Sequence, residues 1–208
     1  MLRQVRTTPR KRPRQSRSRA TVDTMLEATA RVLVKRGFDG LTTNLVAQTA
    51  GVSVGTLYQY FPNKAALVGA LIEKHVEDMS ALCLAELTRV AREPLGVAIR
   101  SVIEALIRAH AVEPELHRVL TEQVPRVGRM AKLRDIDALV HRMVAGLLAT
   151  RKAELAIQDP ELTAFILVSA IEAITRRATL FSPELLRDPR LVDEACMMVR
   201  RYLGVADG

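Results

Sequence analysis

Residues 41–67 read LTTNLVAQTAGVSVGTLYQYFPNKAAL, and this stretch decides the fold. Thr42 is a good N-cap for a short helix that turns Leu45, Val46 and Ala50 inward. Gly51, which accepts the left-handed conformation, ends that helix. Ser53 caps a second short helix over 54–60, Pro62 stops it, and Asn63 caps a long helix carrying Leu67, Leu71, Val76 and Met79. Two short helices joined by Ala50-Gly51-Val52-Ser53 match a helix-turn-helix, in which glycine makes the tight turn and the second helix enters the major groove.

Outward from this motif the pattern stays helical. On the N-terminal side Val22, Met25, Leu26, Thr29, Val32 and Leu33 recur at helical spacing and predict a helix over 20–36, stopped at Gly37. On the C-terminal side helices are predicted over 94–110, 114–124, 130–157, 160–181 and 189–203, punctuated by prolines. No sustained period-two run exists, so a sheet is not supported and the fold class is all-α.

Composition agrees. The chain has 208 residues, 49% of them hydrophobic but only 3% aromatic and none of them Trp, a mix suited to helices packed by aliphatic side chains. The net charge of +8 is local: residues 1–19 carry Arg3, Arg6, Arg10, Lys11, Arg12, Arg14, Arg17 and Arg19 and no acid, and the remainder is neutral. We read 1–19 as a disordered basic arm, open to two interpretations, a solvated tail or a transient contact with DNA phosphates or minor groove. Pro9 and Pro13 interrupt any amphipathic helix there, which argues against a transit peptide.

The longest strongly apolar run, 164–174, contains Glu172 and is shorter than the about 20 residues that span a bilayer, so no membrane partner is expected. Cys83 and Cys196 are far apart, each inside a helical pattern, which fits a reducing cytoplasm. An enzyme finds little support: HExxH, GxGxxG and P-loop motifs are absent, and His75, His110, His117 and His141 have no metal-ligand spacing. No cofactor or metal is called for.

The 41–67 stretch resembles the DNA-binding signature of the TetR family, through its helix-turn-helix spacing, the Thr-Leu-Tyr-Gln-Tyr-Phe segment and the Asn-Lys that opens the next helix. The resemblance is specific over about residues 22–72 and looser beyond. It implies an N-terminal three-helix helix-turn-helix DNA-binding domain (20–66) followed by a helical effector-binding and dimerisation domain (67–208). It also implies that Thr43, Tyr58, Tyr60 and Lys64 contact phosphates, roles that hydroxyl and ammonium donors can fill. Base reading then falls to Asn44, Val54, Gly55, Thr56 and Gln59. The amides pair with adenine edges, Val54 or Thr56 touches a thymine methyl, and Gly55 permits close approach.

The family uses its last two long helices as a dimer interface, which here points to Phe165, Val168, Ile171, Glu172, Met198 and Tyr202. The apolar pattern of 160–181 and 189–203 is compatible with that role and equally with a plain core position. His110 lies on an otherwise apolar stripe, where it is either a core histidine satisfied by backbone or an effector contact. His117, Gln123 and His141 are further candidates for a ligand pocket.

The expected function is that of a sequence-specific regulator, a repressor released from a palindromic double-stranded operator by an unidentified small-molecule effector and acting as a cytoplasmic homodimer. The alternative is a helical protein that binds nucleic acid without sequence preference through its basic arm.

Overall fold

Apolar residues at three- and four-residue spacing wind most of the chain into helix. A computed structural model describes residues 16–127 and 130–205. Among the described residues there are nine α-helices and no strand: α1 Ser16–Gly40, α2 Thr43–Ala50, α3 Val54–Tyr60, α4 Lys64–Arg89, α5 Leu95–Val112, α6 Pro114–Val127, α7 Met130–Thr150, α8 Pro160–Phe181 and α9 Pro189–Leu203.

Several boundaries differ from the sequence reading. Helix α1 begins at Ser16, so Ser16, Arg17, Ser18 and Arg19 of the expected disordered arm are helical. Once a helix is nucleated by its apolar face, each added residue gains a hydrogen bond at little further cost. Residues 1–15 of the arm lie outside the described residues. Gly37 then breaks α1 at φ 67 and ψ 178, the position where the pattern predicts a stop. Helix α6 continues through Pro125 to Val127 instead of ending at 124, because a proline in the last turn removes only one backbone donor.

Helix α7 stops at Thr150, short of the predicted 157. Lys152–Glu154 forms a single 3-10 turn, after which the Ala156 N–H donates to the Leu203 carbonyl at 2.9 Å. Leu155 and Ile157 mimic helical spacing because they pack on the core beside Leu203. Gly204 caps α9 in the left-handed region at φ 71, and a Cβ there would lie 2.5 Å from the Cβ of Ala156.

The helices group into two units, with α4 and α7 each divided between them. The first runs to His75 and takes in Glu115–Leu133. Its core is built from Met25, Val32 and Leu33 of α1, Val46 of α2, Leu57 of α3, and Leu67 and Val68 of α4, with Leu41 and Phe61 from the connections. The second comprises Val76–Pro114 and the chain from Arg134 onward. Ile99, Ile103 and Ile107 of α5 pack there against Leu148 of α7, Leu167 and Ile171 of α8, and Val199 and Leu203 of α9. At its surface the Arg100 guanidinium bridges Glu104, at 3.0 Å, and Asp193 of α9.

Candidate nucleic-acid interface

Local capping fixes the geometry of α2 and α3. Thr42 Oγ1 accepts the Leu45 N–H at 3.2 Å, and Ser53 Oγ accepts the Thr56 N–H at 3.0 Å. Between the two helices Gly51 sits at φ 67 and ψ 28, its N–H directed to the carbonyls of Ala47 and Gln48. A Cβ at Gly51 would meet nothing within 4 Å, so backbone conformation alone selects glycine there. Leu57 and Phe61, both fully buried, lock α3 onto the core.

That anchoring leaves the other side of α3 to solvent. Val54, Gly55, Tyr58 and Gln59 are exposed, Thr56 and Tyr60 are half-buried, and Asn44 on α2 is exposed. A Cβ at Gly55 would touch only the Ser53 hydroxyl, at 3.8 Å, so the backbone there is open to close approach. Thr43 Oγ1 and Tyr58 Oη are 3.1 Å apart, which joins the start of α2 to the middle of α3. Thr56 Oγ1 lies 2.8 Å from Ser53 Oγ, so its hydroxyl is engaged within the cap.

Lys64 is placed differently from the other predicted phosphate ligands. Its ammonium donates to the Phe38 carbonyl at 3.0 Å and to that of Asp39 at 3.5 Å, and lies 4.7 Å from the centre of the Phe38 ring. It ties the first turn of α4 to the segment after the Gly37 break. Sequence reading missed Phe38 as its seat, because a backbone carbonyl 26 residues away leaves no side-chain signature.

The predicted dimer residues fall into two groups. Phe165, Glu172, Met198 and Tyr202 are exposed and Val168 is half-buried, whereas Ile171 is only 8% exposed and belongs to the core of the second unit. Periodicity put Ile171 on an apolar face without saying which of two apolar faces it was. Although the residue as a whole is exposed, neighbouring groups crowd the Glu172 carboxyl, and its pKa is raised by partial loss of hydration and by the charge of Asp137. A cleft of about 240 Å³ opens beside this surface, lined by Ile157, Asp159, Leu162, Thr163 and Tyr202.

None of the four predicted pocket residues lines that cleft. His110 Nδ1 is 2.8 Å from the Leu106 carbonyl, the backbone-satisfied arrangement, and burial lowers its pKa. His141 Nδ1 is 2.9 Å from the Asp137 carbonyl, and its ring is tilted against Phe165 at 6.0 Å between centroids. In the first unit Gln123 is buried, and its Oε1 has no hydrogen-bond partner. His117 Nδ1 meets His75 Nε2 at 2.6 Å, a pairing across 42 residues that sequence spacing could not reveal. Among the described residues no group of three or more His, Cys, Asp or Glu side chains is arranged to hold a metal ion. No helix among them is long and apolar enough to cross a membrane.

Two family models match the chain. Residues 25–71 match "Bacterial regulatory proteins, tetR family", and residues 94–203, more than half of the chain, match "Tetracyclin repressor-like, C-terminal domain". The chain belongs to the TetR family. Among TetR-family relatives, the HTH-type transcriptional regulator TtgR of Pseudomonas putida is 27% identical over 188 residues, covering 85% of this chain and 90% of that protein. The nucleoid occlusion factor SlmA of Haemophilus ducreyi is 29% identical over 87 residues. That match covers 42% of each protein, so the chain spans less than half the length of this relative. A crystal structure from Mesorhizobium loti assigned to the TetR family shares the fold at a TM-score of 0.73 and 19% identity, covering 90% of this chain and 98% of that one. In this TetR-family chain the helix-turn-helix is α2, the Gly51 turn and α3.

Proposed function

We propose that this TetR-family chain is a sequence-specific DNA-binding transcriptional regulator, a repressor that occupies a palindromic operator as a homodimer and is released by a small-molecule effector. The observation that carries the reading is the outer side of α3. Seven residues of helix are anchored by Leu57 and Phe61, expose Val54, Gly55, Tyr58 and Gln59, and are braced to α2 through Thr43. A short, well-anchored helix with small and amide side chains outward is the form that enters a major groove.

In this reading Thr43, Tyr58 and Tyr60 bind phosphates, and Lys64 joins them through the one N–H that its two carbonyl partners do not use. Asn44, Val54, Gly55, Thr56 and Gln59 meet base edges. The exposed apolar side chains of α8 and α9, Phe165, Met198 and Tyr202, meet their counterparts in a second copy, which sets two α3 helices about 34 Å apart for successive major grooves. The effector acts by favouring a dimer whose α3 helices no longer match that spacing. The protein acts in the cytoplasm, where operator DNA is found.

The test is a fluorescence-anisotropy titration against DNA from upstream of its own gene and against a shuffled duplex, at two salt concentrations. Selective binding to the first duplex is expected, with selectivity retained when residues 1–15 are deleted and with a shallower salt dependence. Loss of all binding on that deletion sinks the reading in favour of non-specific binding through the arm.

A further inference from the structure

The Ser53–Thr56 pair says more about what α3 reads than its exposure alone. Ser53 Oγ receives the Thr56 backbone N–H at 3.0 Å, and the Thr56 hydroxyl lies 2.8 Å from the same oxygen. One serine oxygen thus holds two atoms of Thr56, the amide as an ordinary N-cap and the hydroxyl as a side-chain partner. Threonine has two substituents on Cβ, and fixing Oγ1 fixes χ1 and with it the methyl. Either hydroxyl can be the donor of this pair, and in both cases Oγ1 is held at the cap and the methyl is fixed with it.

We infer that Thr56 is a specificity-determining residue that reads the C5-methyl group of a thymine through its own methyl, and not a base edge through its hydroxyl. The inference rests on the operator-binding reading above and sharpens it. The neighbours of Thr56 point the same way. Val54, one residue before Gly55 and exposed, offers only methyl groups, and Gly55 has no side chain to hold the groove away. The start of α3 is therefore a methyl-bearing surface around a bare backbone, suited to thymine methyls in the major groove. Hydrogen-bonded discrimination is left to the amides of Gln59 and Asn44, both exposed.

The experiment begins with selection of preferred duplexes from a randomised library by the full-length protein. Each thymine of the selected duplex is then replaced singly by deoxyuridine, which removes the methyl and leaves every hydrogen-bonding group in place. At one thymine per half-site the replacement is expected to weaken binding about fourfold, the worth of one buried methyl. Thr56→Val, which keeps a methyl and discards the hydroxyl, retains affinity within about twofold and still prefers thymine at that position. Thr56→Ser, which keeps the hydroxyl and discards the methyl, binds about fourfold more weakly and no longer distinguishes thymine from deoxyuridine there. Melting curves confirm that both variants are folded.

The opposite pattern, with Thr56→Ser unchanged and a folded Thr56→Val defective, overturns the inference, as does indifference of the wild-type protein to every deoxyuridine. Failure of the selection to enrich any sequence is a separate result. It removes the operator-binding reading itself and the inference with it.

Discussion

Thr43 Oγ1 and Tyr58 Oη lie 3.1 Å apart, although the residues belong to different helices and are 15 positions apart in sequence. One hydroxyl must donate to the other, so the pair keeps one proton to offer outward. A phosphate arriving at these two oxygens would find them already oriented, with little side-chain entropy left to lose.

If the two hydroxyls act as one unit, their removal is not additive. Tyr58→Phe and Thr43→Val are each expected to weaken binding to the preferred duplex and to a shuffled duplex alike by about tenfold, the worth of a hydrogen bond to a charged group. The double variant should be no more than about twofold worse than either single one. Anisotropy titrations of the four proteins give the coupling directly, and fully multiplicative losses would show two independent contacts.

Lys64 has a structural task that Lys64→Met would expose. Loss of its bond to the Phe38 carbonyl and of its position over the Phe38 ring is expected to lower unfolding free energy by about 1–2 kcal/mol, read from urea denaturation. A phosphate contact adds a second signature, a salt slope of DNA binding reduced by about 1. A fall in stability with an unchanged slope would leave Lys64 as a brace alone.

The exposure of Phe165 and the burial of Ile171 on the same helix, α8, separate association from folding. Phe165, 58% exposed, can be changed to Glu with little effect on the protomer, and we expect sedimentation to show a folded monomer. Ile171→Ala instead leaves a cavity in the core of the second unit and should cost about 2–4 kcal/mol of stability. A Phe165→Glu protein that still sediments as a dimer would remove this face from the interface.

His110 gives the protein a pH dependence of definite sign. Burial holds its pKa below the ordinary 6.5 despite the opposing bond to the Leu106 carbonyl, so the folded state binds this proton less readily than the unfolded state. The stability it contributes is present above pH 6.5 and is lost as pH falls through that value toward the folded pKa. His110→Asn should flatten the melting midpoint over this window, measured against the wild type in matched buffers. A midpoint that rises on acidification in the wild type alone would reverse the assignment.

The sequence made some of this legible and hid the rest for identifiable reasons. Capping residues and Gly51 act within a few positions of themselves, so the turn and both short helices could be read directly from Thr42, Ser53 and Asn63. The stop at Gly37 was visible for the same reason. What depends on distant partners was not: the pairing of His75 with His117, the seat of Lys64, and the docking of Ala156 on Leu203, which makes Leu155 and Ile157 look like a continuation of α7. Apolar periodicity also cannot rank two faces of one helix, which is why Ile171 was read with Phe165. The missing polar partner of Gln123 Oε1 has no counterpart in the sequence pattern at all.

The contact of Gly204 with Ala156 acts as a registration pin. An α-helix turns by about 100° per residue, so a slip of α9 by a single position would swing Met198 and Tyr202 off the side they now share. With Ala156 seated where a Cβ on residue 204 would have to stand, that slip is blocked at the end of the helix. The rotational setting of a whole surface helix is thereby held by the absence of one methyl group.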